Sequence, residues 1–455
     1  MRKTISLLMV LLLALFLPGC DKERSVWQET SVVPQTNESL TVFCLGDLTD
    51  GKMIQLALER YQRMYPDVEV ELIKPEYDVT NIGMREELFD QVAVQIMSGE
   101  GPDVFIIDDT IMDVEKLVRQ GVFADMEPYF QADHFDWEPY NQAVMDGGVW
   151  NGKRFLIPLK YDFPLLVTSR TALEETGFDA AACEDYQGFL EETTRYMEDE
   201  TQTRQLFRYP LAVLNVVEDS GLAIADYDTQ TVDLTSPLFR FGVQWCREVV
   251  RECTKDFHDA YSDSSLHGAA AVRDGELLWV PSGMGALSNF YRNFAALKTI
   301  DEAVMMPIRD LDGGIRAEIQ YPVAVRANSE NLQNAYNYIK ILLGFEVQGS
   351  CGWDKLSVLD AVNEYFYETI SQGRLFHLEA GENGFFGSKN PMESVDWPTR
   401  EEFDQLMGYT REITGTYFYP HLMWKGAISD YVFGTADLDE TLEEAQRYLE
   451  RYITE

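Results

Sequence analysis

The chain has 455 residues, 45% hydrophobic and 25% charged, the balance of an ordinary globular protein long enough for two or three domains. Its 77 Asp and Glu against 37 Lys and Arg give a formal charge of −40, which repels phosphate backbones and excludes nucleic acid as a partner.

Met1-Arg2-Lys3-Thr4 is a basic start, followed by an apolar run from Ile5 to Leu17 broken only by Ser6. That run is shorter than the roughly 18 to 20 residues of a membrane-spanning helix, so it reads as a signal segment. It ends Leu17-Pro18-Gly19-Cys20, which resembles the bacterial lipobox, although Pro18 departs from the usual small residue. Residues 1–19 are thus expected to be a lipoprotein signal peptide, with Cys20 carrying the lipid that ties the protein to a membrane. Cleavage removes Arg2 and Lys3 and takes the charge to about −42. Residues 20–39 are polar and aperiodic, and read as a tether.

Order begins at the strand-type run "LTVFCLG". Ile54, Leu58 and Tyr61 then recur at helical spacing until Pro66. "VEVELIK" reads as a second strand, "MREELFDQVAVQIMSGEG" as a helix and "PDVFIID" as a third strand. This β-α-β-α-β order predicts a parallel sheet covered by helices, the α/β class. Beyond residue 160 helices such as "YQGFLEETTRYMEDE" and "LFRFGVQWCREVVRE" alternate with the single strands "ELLWVPS", "EAVMMPI" and "YPVAVRA". The last quarter reads as mostly helical.

Chemistry-bearing motifs are sparse. Gly46 to Met53 matches G-x-x-x-x-G-K between a strand and a helix, but Met53 replaces the magnesium-binding hydroxyl, and Asp47 and Asp50 would oppose phosphate. The loop instead suits ligand contact at the carboxyl end of a sheet strand. None of the five histidines lies three or four residues from another, and no zinc or G-x-S-x-G signature occurs, so no metal, cofactor or catalytic residue is assigned. Asp226-Tyr-Asp228 lacks the rest of a calcium loop. Glu86-Glu87 and Glu191-Glu192 read as solvated helix faces. Cys246 and Cys253 are seven apart on a predicted helix, roughly 10 Å and beyond disulfide reach, so buried free thiols are expected. Aromatics make up 12% of the chain, enough to fill the cores and leave rings for stacking on sugars.

Five stretches in order, "YQRMYPDVEVELI", "SGEGPDVFIIDD", "VWNGKRFLIPLKYDFPLLVTSRTALEETGFD", "DGELLWVPSGMGAL" and "YPVAVRANSENLQNAYNYIKILLGFEVQ", resemble the extracellular solute-binding proteins of ABC importers, the maltose-binding-protein-like family. The resemblance runs from about Leu40 to the C-terminus. It implies an α/β, two-lobed periplasmic-binding-protein type II fold whose chain crosses between lobes near Tyr161-Asp162, Tyr321-Pro322 and Lys355-Leu356. Lobe 1 would be 40–161 plus 322–355, and lobe 2 162–321 plus 356–455. Ligand contacts carried over by the resemblance are Asp47, Asp108, Asp109, Tyr161, Asp162, Ser282, Met284, Tyr321 and Trp353. Where sugar-binding relatives offer a tryptophan this chain has Gly285, with Trp279 earlier instead. The expected protein is a non-catalytic monomer outside the cytoplasm that hands a small solute, first of all a carbohydrate, to membrane permease subunits. A polyamine, peptide or chelate ligand on the same fold, a secreted hydrolase, and a surface sensor or adhesin are the alternatives.

Overall fold

The computed structural model describes residues 39–44, 51–75, 92, 94–95, 98, 100–107, 114–207, 215–253, 266–280, 285–299, 301–350, 355–371, 397–418 and 423–454. Cys20, Asp47, Asp108, Asp109, Ser282, Met284 and Trp353 lie outside these residues, as does most of the helix expected over 84–101.

Strands β1 (Ser39–Cys44), β2 (Glu69–Ile73) and β3 (Val104–Ile106) are parallel, with β1 in the middle. Helix α1 (Gly51–Met64) connects β1 to β2 and buries Met53, Ile54, Ala57, Leu58 and Tyr61. β3 is buried at every position, as a central parallel strand must be, whereas edge strand β2 turns Glu69 and Glu71 outward. The expected parallel sheet is therefore present, and two antiparallel strands, β6 (Leu156–Ile157) and β13 (Val323–Val325), extend it to the order β2-β1-β3-β13-β6.

Helix α2 (Val114–Arg119) follows β3, and α3 (Gln142–Asp146) follows an N-cap at Asn141. A small hairpin of β4 (Val149–Trp150) and β5 (Lys153–Arg154) leads into β6 (Leu156–Ile157), the outer strand of the parallel sheet. After Pro158-Leu159 the chain enters a second sheet through β7 (Lys160–Asp162), then β8 (Leu165–Ser169). Helix α4 (Tyr186–Glu198), the short α5 (Val216–Ser220), hairpin strands β9 (Ala225–Asp226) and β10 (Thr231–Val232), and helix α6 (Pro237–Cys253) follow. Helix α7 (Ala286–Asn289) and β11 (Ala303–Pro307), which pairs antiparallel with β8, lead to β12 (Ile315–Gln320). β12 returns the chain through Tyr321-Pro322 to β13 (Val323–Val325) in the parallel sheet. Then come α8 (Leu332–Leu342), α9 (Phe345–Gln348), β14 (Leu356–Ser357), α10 (Arg400–Thr410), β15 (Ile413–Phe418) and α11 (Leu438–Thr454). The second sheet has the order β14-β7-β12-β15.

Three expectations change. Of "ELLWVPS", residues 276–280 are described and form only bridges, because their backbone divides between two partners: Leu278 and Trp279 donate to Gln205 and Leu206, whereas Val280 bonds Val167. β15 interrupts the helical last quarter. Glu192 is buried rather than solvated, because it accepts the Asp179 N–H at 2.6 Å and the Arg195 guanidinium at 2.5 Å. Cys44, Cys183, Cys246 and Cys253 are buried free thiols, as expected. No helix among the described residues is long and apolar enough to cross a membrane.

Candidate functional site

The second sheet collects every passage near the expected crossovers. β14, β7 and β12 are hydrogen-bonded neighbours, although far apart in sequence. Their register sets a row of polar side chains. Asp162 on β7 pairs with Glu318 on β12, and Glu318 pairs with Tyr417 on β15, so the three project from one face. Gln320 donates its amide to Glu318 on that face.

Helix α5 brings two more carboxylates to the row. The Tyr417 hydroxyl donates to Asp219 Oδ1 at 3.0 Å. Burial first, and then the negative charges of Asp219, Glu318 and Glu218, raise the Tyr417 pKa well above its ordinary value, so this hydroxyl stays a donor at any physiological pH. Arg316, two residues before Glu318, ties the row together by donating to the Glu218 carbonyl and the Thr416 carbonyl, each at 2.9 Å. Gly415 leaves room for it, since a Cβ there would come within 2.7 Å of Arg316 Nη1.

Asp162 is held from two sides. Its Oδ1 accepts the Phe163 N–H at 2.9 Å and the Ala286 N–H, at the start of α7, at 2.5 Å. The carboxylate thus satisfies one orphan donor of a helix terminus, the Ala286 N–H. Tyr161 leaves the opposite face of β7, as successive strand residues must. It is fully buried, and its hydroxyl accepts from Asn141 Nδ2 at 3.3 Å, while Asn141 also caps α3. Tyr321 joins β12 to β13 with φ +51° and is 6% exposed. Trp279 lies in the core against Phe178, with ring centroids 5.5 Å apart.

Of the sequence-derived contacts, the described residues thus include Tyr161, Asp162 and Tyr321, all on or beside the crossover strands. Glu318, Gln320, Tyr417 and Asp219 were not among them. The alternation in "IRAEIQ" marks a strand with Arg316, Glu318 and Gln320 on one side, which was the available signal. Nothing in the sequence places "ITGTYF" beside it. The row offers carboxylate acceptors and fixed donors at close spacing, a pattern that suits the hydroxyls of a polyol. No three His, Cys, Asp or Glu among the described residues are placed to hold a metal ion.

No curated protein sequence matches the chain significantly. A family described as bacterial extracellular solute-binding protein matches residues 46–208. Among solved structures, the ABC substrate-binding protein Lmo0181 of Listeria monocytogenes, in complex with cycloalternan, aligns with a TM-score of 0.55 and 12% identity over 91% of this chain and 99% of that one. Maltose-bound T. maritima MalE3 aligns with a TM-score of 0.54 and 15% identity over 91% and 99% of the two chains. The GacH receptor of Streptomyces glaucescens, solved unliganded and with acarbose, gives 0.52 and 14% identity over 92% and 100%. Residues 46–208 thus carry the signature of the bacterial extracellular solute-binding proteins, and the chain as a whole has the two-lobed type II periplasmic-binding-protein fold of their maltose-binding-protein-like members.

Proposed function

We propose that this protein is the lipid-anchored substrate-binding component of an ABC importer. It captures a carbohydrate or oligosaccharide between lobe 1 (40–161 plus 322–355) and lobe 2 (162–321 plus 356–455) and delivers it, chemically unchanged, to a membrane permease. The observation that carries this reading is the row Asp162, Glu318, Tyr417 on a sheet whose strands β14, β7 and β12 adjoin the passages between lobes. A hinge that is also lined with hydrogen-bonding groups couples ligand capture to lobe closure. The ligands named for the fold neighbours, cycloalternan, maltose and acarbose, support a carbohydrate. Asp47, Asp108, Asp109, Ser282, Met284 and Trp353 complete the proposed contact set, and Cys20 carries the proposed anchor, holding a monomer at the outer face of the membrane.

A thermal-shift screen of residues 21–455 against maltooligosaccharides, cyclic glucans, polyamines and peptides tests the reading. A ligand that binds only the folded state adds about 2.7 kcal/mol of stability at a hundredfold excess over Kd. A shift with one saccharide series, recovered intact, supports the proposal. A shift only with a polyamine or peptide overturns the carbohydrate, and a cleaved saccharide overturns the binding-protein reading. For the anchor, Cys20→Ser is expected to move the full-length protein from the membrane to the soluble fraction.

A further inference from the structure

A groove of about 490 Å³ opens between the C-terminal end of α1 and the connection from α8 to α9. That volume falls within the roughly 300 to 1,000 Å³ of small-ligand pockets. Its walls include Ile341, Met64, which is 63% exposed, and Phe345, which is 42% exposed. Two large apolar side chains left in water beside one cleft mark an interaction surface. Arg60, which pairs with Glu346, and Arg63 form the rim. Arg63 Nε donates to the Glu59 carbonyl at 3.2 Å, and Arg63 has no ion-pair partner among the described residues.

The chain before Ser39 carries a group that fits such a cleft. Residues 21–38, "DKERSVWQETSVVPQTNE", are polar, yet they include Trp27 next to Val26, with Glu29 just beyond. They lie outside the described residues. A spacer has no need of an indole, whose roughly 150 to 250 Å² of surface favours burial. Ser39 starts β1 beside α8, because Asn334 Nδ2 donates to the Ser39 carbonyl at 3.0 Å. From Asn334 to the groove wall at Ile341 is about 10 Å along α8, at about 1.5 Å per residue. Trp27 precedes Ser39 by twelve residues, and a linker of that length spans about 19 Å on average. The groove is therefore within reach.

We propose that Trp27 docks in this groove, with Met64 and Phe345 against its ring and Glu29 beside Arg63. The occupant is this segment because it is already attached, at an effective concentration in the millimolar range. A second copy would bring its own charge of −40 against this one. The consequence concerns the anchor, and it rests on the tether and Cys20 reading above. From Cys20 to Ser39 the chain can stretch about 65 Å, but from Cys20 to a docked Trp27 only about 25 Å. Docking thus holds lobe 1 close to the membrane and turns one side of it toward the surface.

The test is tryptophan fluorescence of lipid-free residues 21–455. Subtracting the spectrum of Trp27→Phe from that of wild type leaves the emission of Trp27 alone. The docked ring is expected to emit to the blue of a water-exposed one and to be shielded from acrylamide. Phe345→Glu and Met64→Glu change exposed positions, and each is expected to shift that emission to the red and remove the shielding. Matching spectra of the remaining tryptophans, recorded with Trp27→Phe added to each variant, show that the variants fold. Water-like emission of Trp27 in wild type overturns the docking. So does a ring that both variants leave shielded, and so does shielding lost on dilution, which places the ring in a second copy. Neither lipid nor ligand enters this measurement. A failure here leaves the importer reading standing, and a failed thermal-shift screen or Cys20→Ser experiment leaves the docking standing.

Discussion

The Cβ that Gly285 lacks would fall 1.5 Å from Oδ2 of Asp162. No side chain fits there, and the φ of Gly285, +76°, is itself one that other residues avoid. By the resemblance, sugar-binding relatives offer a tryptophan at the place where this chain has Gly285. The glycine has a local reason: it lets the crossover carboxylate reach the first N–H of α7.

Gly285→Ala is therefore expected to cost about 2 kcal/mol or more, from the strained φ and from displacing a capping carboxylate. Asp162→Asn keeps an acceptor oxygen toward Ala286 and Phe163, and is expected to cost less than about 1 kcal/mol. Urea unfolding of both variants checks the order. Equal losses would mean that the cap is not what holds this junction.

Tyr321 stands at φ +51° immediately before Pro322. A bulky side chain disfavours the left-handed region, and a following proline favours extended backbone. Both alanine and glycine at 321 lose the buried ring, but only glycine relieves the backbone. Tyr321→Gly is thus expected to be more stable than Tyr321→Ala by about 1 kcal/mol, measured by thermal unfolding. An alanine variant as stable as the glycine one would remove the case for strain at this passage.

A fully buried network joins strands β7 and β14 to helix α9. Lys160 Nζ donates to the Gln348 carbonyl at 3.1 Å, and Ser357 Oγ donates to Gln348 Oε1 at 2.8 Å. Gln348 Nε2 in turn donates to the Leu342 carbonyl at 2.8 Å. Gln348→Ala deprives both Ser357 and Leu342 of these bonds and opens a cavity. A loss of about 2 to 4 kcal/mol is expected in urea unfolding. A loss under about 0.5 kcal/mol would show that the network is replaced by solvent.

Burial pushes the Cys183 and Cys253 thiols up to about 12. Neighbouring acidic groups, Glu192 and Asp179 for Cys183 and Glu252 for Cys253, add to the shift. In the unfolded chain a thiol titrates near 8.5. A raised folded pKa means that the stability these thiols contribute is complete below about pH 8.5 and is lost as pH rises toward about 12. Stability is expected to fall across that alkaline range, less so in Cys183→Ala than in wild type. At pH 8 both thiols are expected to resist a thiol reagent until denaturant is added. Rapid native labelling at 183 or 253, mapped by mass spectrometry, would contradict this.

Several features were legible before any fold was known. The parallel order of β1, β2 and β3 follows from alternating apolar strand and helix segments, because a short buried strand and its crossover helix state their own geometry. The buried thiols on α6 follow from helical spacing. By contrast, Glu192 looked like one member of a solvated acidic pair, because nothing local reveals that Asp179 and Arg195 converge on it.

By itself the sequence determined the class of fold, the order of its elements and the acidic, acceptor-rich character of its loops, since these depend on local periodicity and composition. Only the tertiary structure decided that Asp162, Glu318 and Tyr417 share a row, that Gly285 must be bare and that α2 meets α11 and the β9–β10 turn. Those relationships depend on strand register and helix docking between segments far apart in the sequence. No local pattern encodes such pairings; they are fixed when the whole core closes and each strand finds the one register that buries its apolar face.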